Sequence, residues 1–174
     1  SCGEGGALIV NDSNYFSRAE IIREKGTNRK QYLDGTVDKY TWVDYGSSYL
    51  PSDLNAAFLY PSLSIWETIQ IKRKSIWEYY FDNLIVWSKK NNIEIPKIPS
   101  YCEQAYSLFY LILNSKNQRE LLMNYLKKNG VETASHYIPL HTSRMGKMFG
   151  YKVGELPITE KISKTLLRLP FYTS

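Results

Sequence analysis

The clearest periodic signal in the chain lies between residues 51 and 92. Ile65, Ile69, Ile76, Tyr80, Leu84 and Trp87 recur near helical spacing, which predicts a long amphipathic helical stretch. Pro51-Ser52-Asp53-Leu54 opens it as a helix start, with Leu54, Ala57 and Phe58 on one face. Pro61 predicts a kink or the start of a second helical segment, and Asn91-Asn92 end the pattern. Upstream, Ala7-Leu8-Ile9-Val10 reads as a short apolar strand. Asn11-Asp12-Ser13 is a turn and cap for a helix over 14–25, with Phe16, Ala19, Ile21 and Ile22 on its buried side. A buried strand this close to the first residue predicts that the chain is a piece of something longer. Residues 26–50 have no clean period. They carry Tyr32, Tyr40, Trp42, Tyr45 and Tyr49 on an irregular stretch of a length that favours an interface.

Downstream, Pro96 and Pro99 mark a linker. Residues 106–113, YSLFYLIL, have strand composition. A helix is expected over 117–129 with Leu121, Leu122, Tyr125 and Leu126 inside, and Gly130 stands where a C-terminal cap belongs. A second strand is expected over 131–138 and a last helix over 157–169, broken by Pro170. The pattern amounts to a small α+β domain joined by a long helix to a strand-helix remnant of another domain.

Composition changes this picture in three places. Aromatic residues make up 14% of the chain, so much aromatic surface has to be covered in a core or an interface. The net charge is +5, but the basic residues form short clusters, Lys72-Arg73-Lys74, Lys89-Lys90 and Lys127-Lys128, on expected helix faces. Phosphate-backbone binding needs one continuous stripe, so no nucleic-acid partner is expected. Small anionic ligands remain open. Cys2 and Cys102 are far apart and outside any CxxC, which points to a reducing compartment. With no membrane-length apolar run and no signal peptide, the expectation is a cytoplasmic protein without a membrane partner.

Both histidines of the chain sit in HYIPLH, as His136 and His141 with Pro139 between them. The i, i+5 spacing across a proline does not give the one-faced ligand pair of a helical HxxxH, and no metal site is expected. No serine sits in a nucleophile-elbow context. Two ordinary histidines at a strand end are one reading. A polar pair held over a cleft by a rigid turn is the other. Gly3-Glu4-Gly5-Gly6 is not a phosphate loop, because no Gly-Lys-Ser/Thr follows. It is not a dinucleotide fingerprint either, because the strand follows the glycines.

Five stretches in order carry a family likeness. CGEGGALIVND, AEIIREKGTN, DKYTWVDYGSSYLPSDLNAAFL, ASHYIPLH and TLLRLPFY resemble the sugar-nucleotide aminotransferases of the DegT/StrS type, and together they span essentially the whole chain. The resemblance implies pyridoxal 5'-phosphate as cofactor. It implies the C-terminal part of an aspartate-aminotransferase-like fold (fold type I), of α/β class with an α+β C-terminal domain. Residues 1–50 would be a remnant of the large cofactor-binding domain plus an interface loop, 51–92 long connecting helices, and 93–174 the small α+β domain. The implied parent is a homodimer that moves an amino group from glutamate to a dTDP-4-keto-6-deoxyhexose, for cell-surface polysaccharide precursors.

The resemblance also assigns residues. The Schiff-base lysine would lie just before Ser1, so no residue of the chain is assigned a catalytic role and the chain alone is expected to be inactive. Lys25, Lys30 and Lys39 do not match it. His136 matches a histidine that lines the sugar-nucleotide site, with Tyr137 and His141 as second-rank candidates. Ser48 falls where many members have an asparagine that reaches the partner subunit's cofactor phosphate, and its hydroxyl is a shorter donor to that group. Asn28 and Arg29 could meet the substrate's diphosphate, for which a guanidinium is geometrically suited. A non-enzymatic α+β binding or dimerisation module, with the aromatic loop as its contact surface, is the alternative.

Overall fold

Four helical starts in this chain are set by short polar side chains that accept the orphan N–H groups of a first turn. Asp12 accepts from the Asn14 N–H, Ser52 from Asn55, Ser115 from Gln118 and Ser143 from Gly146. The computed structural model describes residues 2–173. They divide into two units at Trp66 and Glu67.

The first unit holds α1 (Phe16–Arg23), α2 (Arg29–Leu33) and α3 (Asp53–Ser64). Asp12 caps a 3-10 turn over Ser13–Tyr15 that leads into α1. Pro61 lies inside α3 without ending it, and the break follows at Ile65. Three expectations fail here. No strand forms at 7–10, where Leu8 is 78% exposed. A lone extended segment with no partner leaves its backbone groups to water and gains no sheet. The helix expected over 14–25 is shorter at both ends. Its expected buried side is not buried: Phe16 and Ile22 are exposed, because nothing in the described residues covers them.

The second unit is built on one strand pair. After α4 (Trp66–Lys90) come β1 (Tyr110–Ile112), α5 (Lys116–Lys128), α6 (Arg144–Met148), α7 (Pro157–Thr165) and β2 (Leu166–Arg168). β1 and β2 are antiparallel, with Tyr110 opposite Arg168, Leu111 opposite Leu167 and Ile112 opposite Leu166. Each carries one more segment on its outer edge. Glu94 exchanges both backbone hydrogen bonds with Ile112 (3.1 and 2.8 Å), and Ala134 exchanges both with Arg168 (3.1 and 2.7 Å). Alternate residues point inward, as a strand requires. Phe109, Leu111 and Leu113 are buried along one strand, and Leu167 and Leu169 along the other, with Phe109 and Leu167 at 0% exposure. Trp77 of α4 stacks on Phe81 at 5.2 Å and meets the Phe109 ring edge-on at 5.4 Å. The Tyr80 hydroxyl donates to the Pro170 carbonyl at 2.8 Å, which ties α4 to the end of β2.

Several sequence expectations are corrected in this unit. Residues 93–95, just ahead of the expected linker, join the core in a way that was not expected: Ile93 and Ile95 are buried, and Glu94 pairs with β1. The strand expected over 131–138 reduces to the single bridge at Ala134. Val131 is committed elsewhere, its N–H bonding Leu126 at 2.9 Å while Gly130, at φ 76°, bonds Lys127 at 3.1 Å. That pair of bonds closes α5 as a Schellman motif, so Gly130 does cap this helix. Within α5, Leu122 and Leu126 pack on the core but Leu121 and Tyr125 are exposed. The last helix ends at Thr165, and 166–168 become β2, because β1 offers those residues a partner that a continued helix could not use. The α+β class holds. Among the described residues no helix is long and apolar enough to cross a membrane.

Phe109→Ala is expected to lower the unfolding free energy of this unit by about 3–5 kcal/mol, the cost of emptying a fully buried aromatic site. Leu121→Ala, on the open face of α5, should change it by less than about 0.5 kcal/mol. Chemical denaturation followed by tryptophan fluorescence reads both.

Candidate functional site

In the first unit, three of the expected site residues lie on one interlocked pair of loops. The chain turns at Lys25-Gly26, both at positive φ (61° and 75°). Gly26 packs so closely on the 42–46 segment that an added Cβ would sit 1.8 Å from the Asp44 carbonyl oxygen. Gly46 returns the contact, with an added Cβ 2.1 Å from the Gly26 nitrogen. Only residues without a side chain allow this approach, and the positive φ is one glycine adopts freely. The Gly26 carbonyl accepts from Val43 (2.9 Å) and Asp44 (3.0 Å), and Lys25 donates to Ser47 at 3.0 Å. An ion pair between Arg18 and Asp44 fastens α1 to the same segment.

Ser48 forms a backbone bridge with Glu24, and Arg29 Nη1 lies 2.8 Å from Glu24 Oε1, so Glu24 stands between the two. Ser48 is exposed. Asn28 is partly occupied by the fold: its Oδ1 accepts from the Thr41 N–H at 2.7 Å, leaving its side-chain amide as a donor. A cavity of about 430 Å³ opens here, lined by Glu24, Lys25, Arg29, Tyr32 and Tyr40 among others. The Tyr32 and Tyr40 rings are 5.7 Å apart and tilted by 56°. Asn28 and Ser48 do not line it. Lys30 forms an exposed ion pair, its Nζ lying 2.5 and 2.7 Å from the two Asp34 carboxylate oxygens.

The HYIPLH stretch belongs to the second unit and its two histidines behave differently. His136 is half-buried, with its ring 5.1 Å from that of Tyr137, which is 84% exposed. His141 faces inward. It is 6% exposed, and its Nε2 lies 3.1 Å from Oε1 of Glu160, itself 8% exposed. A second-rank ligand role was expected for His141, but the imidazole is committed to this buried pair and not offered to a ligand at the surface. The same Glu160 oxygen accepts from the Gly154 N–H at 2.5 Å.

Around them, Leu140–Thr142 form a 3-10 turn in which Thr142 Oγ1 donates to Pro139 (3.0 Å) and Ser143 Oγ donates to Leu140 (2.6 Å). Gly146 packs on this turn, and a Cβ there would meet the Leu140 carbonyl oxygen at 2.2 Å. Glu160 was not singled out from the sequence. The one available signal was an acid in the first turn of a proline-started helix, where a carboxylate complements the dipole. The close approaches of Gly26, Gly46 and Gly146 were missed too, because a glycine in sequence does not show what it faces. Among the described residues no group of three or more His, Cys, Asp or Glu side chains could hold a metal ion.

Comparison with known proteins agrees along the length of the chain. A model of the DegT/DnrJ/EryC1/StrS aminotransferase family matches residues 1–174. The uncharacterized protein MJ1066 of Methanocaldococcus jannaschii is 28% identical over 180 residues, covering 98% of this chain and 45% of its own. DesV of S. venezuelae, solved in complex with a ketimine intermediate, matches with a TM-score of 0.76 at 21% identity, over 94% of this chain and 40% of its own. Spr1654 of Streptococcus pneumoniae, solved in a PLP form, gives 0.74 at 18% identity, over 97% of this chain and 41% of its own. At such identities the structural likeness is one of fold, and this chain repeats part of it. The chain spans less than half the length of these relatives.

The buried pair makes one pH dependence explicit. The bond from His141, then that from the Gly154 N–H, hold the Glu160 carboxyl below its ordinary value of 4.5, with Lys164 as a further nearby positive charge. A carboxyl depressed in the folded state stabilises it above the unfolded value. That stabilisation is lost as pH falls below 4.5 towards the folded value. Denaturation midpoints measured against pH should therefore fall more steeply below 4.5 in the wild type than in Glu160→Gln. Parallel curves in that range would contradict the assignment.

Proposed function

Because the chain belongs to the DegT/DnrJ/EryC1/StrS aminotransferase family, we propose that it supplies part of a pyridoxal-phosphate-dependent enzyme that aminates a sugar nucleotide. The family match along all of its residues is the observation that carries this reading. Bound pyridoxal phosphate would supply the electron sink that amino transfer requires. The residues of this chain fit a role in holding ligands. The exposed Ser48 hydroxyl can donate to the cofactor phosphate, in place of a longer asparagine. Arg29 keeps donors beyond the one given to Glu24, and Asn28 keeps its amide, so both can reach a diphosphate. Half-buried His136 orients the sugar by one hydrogen bond, and exposed Tyr137 flanks it. We assign the cofactor-bearing amine to no lysine of this chain, which by itself is proposed to be inactive.

At a finer level, REKGTNR and DKYTW resemble the corresponding stretches of dTDP-4-amino-4,6-dideoxygalactose transaminases of enterobacterial common antigen synthesis. The proposed substrates are therefore glutamate and a dTDP-4-keto-6-deoxyhexose, and the setting is the synthesis of cell-surface polysaccharide precursors in the cytoplasm. The free cysteines Cys2 and Cys102 suit that compartment.

The enzyme is proposed to be a homodimer. The supporting observation is the aromatic surface of the interlocked loops, where Trp42, Tyr45 and Tyr49 are exposed. The same surface is what favours the alternative, a non-enzymatic binding or dimerisation module. Amino transfer by the enzyme separates the two readings. In sedimentation velocity the enzyme should run as a dimer, and Trp42→Asp with Tyr45→Asp should shift it towards monomer. A monomeric wild type would remove the dimer from the proposal.

In the enzyme, His136→Asn is expected to raise the keto-sugar KM by the worth of one hydrogen bond to a ligand, roughly 1–3 kcal/mol, or about five- to 150-fold. The half-reaction with glutamate should change little. If glutamate turnover collapsed together with sugar turnover while the fold stayed intact, His136 would belong to proton transfer and the binding role would be abandoned.

A further inference from the structure

The segment that carries His136 is held only at its ends. Ala134 is fixed to β2 by its two hydrogen bonds with Arg168. Pro139 and Leu140 are fixed in the 3-10 turn by Thr142 and Ser143. Between them, residues 135–138 make no backbone hydrogen bond to any described residue. The first anchor is sheet. The second is a small turn, and what ties it to the body of the unit is buried: His141 against Glu160 of α7. Glu160 also gathers the 150–156 loop through the Gly154 N–H, so a single carboxylate oxygen joins three segments. Gly146 lets α6 close over the turn from the other side.

We propose that Glu160 and His141 are positioning residues for the ligand-facing span. They fix its C-terminal end, and through it the place and orientation of His136 and Tyr137, without touching the ligand themselves. The proposal rests on the reading that His136 meets the sugar nucleotide. Physically it requires a stiff anchor. Two charge-capable groups out of water, bonded to each other and with the carboxylate also accepting a backbone N–H, tolerate fewer alternative geometries than an exposed pair. Small displacements of a ligand-orienting group cost binding steeply, and a four-residue span with free backbone transmits the loss of either end.

The test uses Glu160→Ala and His141→Phe, the second keeping bulk while removing the ring nitrogens, with His141→Gln as the conservative variant. In the enzyme, both disruptive variants should raise the KM for the keto-sugar nucleotide about tenfold or more. The glutamate half-reaction should stay within about twofold, and His141→Gln, which restores a donor towards Glu160, should recover part of the loss. A second readout needs no substrate. This chain has two histidines, so 13C-histidine labelling of it gives one imidazole signal set each for His136 and His141. The His136 signal should shift or broaden in Glu160→Ala and move back in His141→Gln relative to His141→Phe.

A lowered Tm with unchanged keto-sugar KM and an unmoved His136 signal would overturn the proposal, leaving the pair as ordinary packing. If Glu160→Ala fails to fold, Glu160→Gln, which keeps an acceptor for Gly154, decides on the same readouts. If His136→Asn itself leaves the keto-sugar KM unchanged, the substrate reading of His136 fails, and the His136 signal alone then decides whether the pair positions the span.

Discussion

The antiparallel pairing of β1 with β2 is the constraint on which the second unit depends. Three residue pairs fix the register. That register turns Phe109, Leu111, Leu113, Leu167 and Leu169 to one side, where α4 lays Trp77 and Phe81 against them. A slip of one residue would send this whole set to the opposite face. Each outer edge then recruits one short segment, at Glu94 and at Ala134. The second bears on the proposed function, because the chain leaves Ala134 directly into the span that carries His136. The core therefore specifies where the proposed ligand span begins, and the buried carboxylate of Glu160 specifies where it ends.

The two units hold their proposed site residues by different physics. In the first, backbone meets backbone: Gly26 and Gly46 approach too closely for any side chain, and the hydrogen bonds of the loops are largely main-chain. Charged side chains work at the rim, with Arg18 on Asp44 and Arg29 on Glu24. Such partly exposed pairs add little stability on their own, so they orient more than they hold. In the second unit the holding group is itself charged and buried. Its desolvation is offset by pairing at Oε1, which His141 and the Gly154 N–H provide.

Legibility followed the range of the forces involved. The turn and cap within Asn11-Asp12-Ser13, the helix opening at Pro51-Ser52-Asp53-Leu54, the cap at Gly130 and the end of α4 at Asn91-Asn92 were readable, because each is decided within a turn of the chain. The same local logic misassigned 166–168 to a helix, since Leu166-Leu167-Arg168 continues a helical pattern and only the presence of β1 makes it a strand. Ile93-Glu94-Ile95 has strand alternation, but three residues are too short a run to reveal that β1 will pair with them. Of the candidate site residues, the two histidines look alike in HYIPLH. Burial separates them, with one half-open beside Tyr137 and the other committed to a glutamate nineteen residues away.

By itself the sequence determined the main helical stretches, the α+β class and the family, since caps, periodicity and ordered motifs are properties of neighbouring residues. Tertiary structure alone decided which short segments become strands, which glycines are indispensable and which histidine is buried against a carboxylate. Strand pairing, close backbone approach and the burial of a charge each depend on a partner distant in the chain. No local pattern encodes what that partner will be.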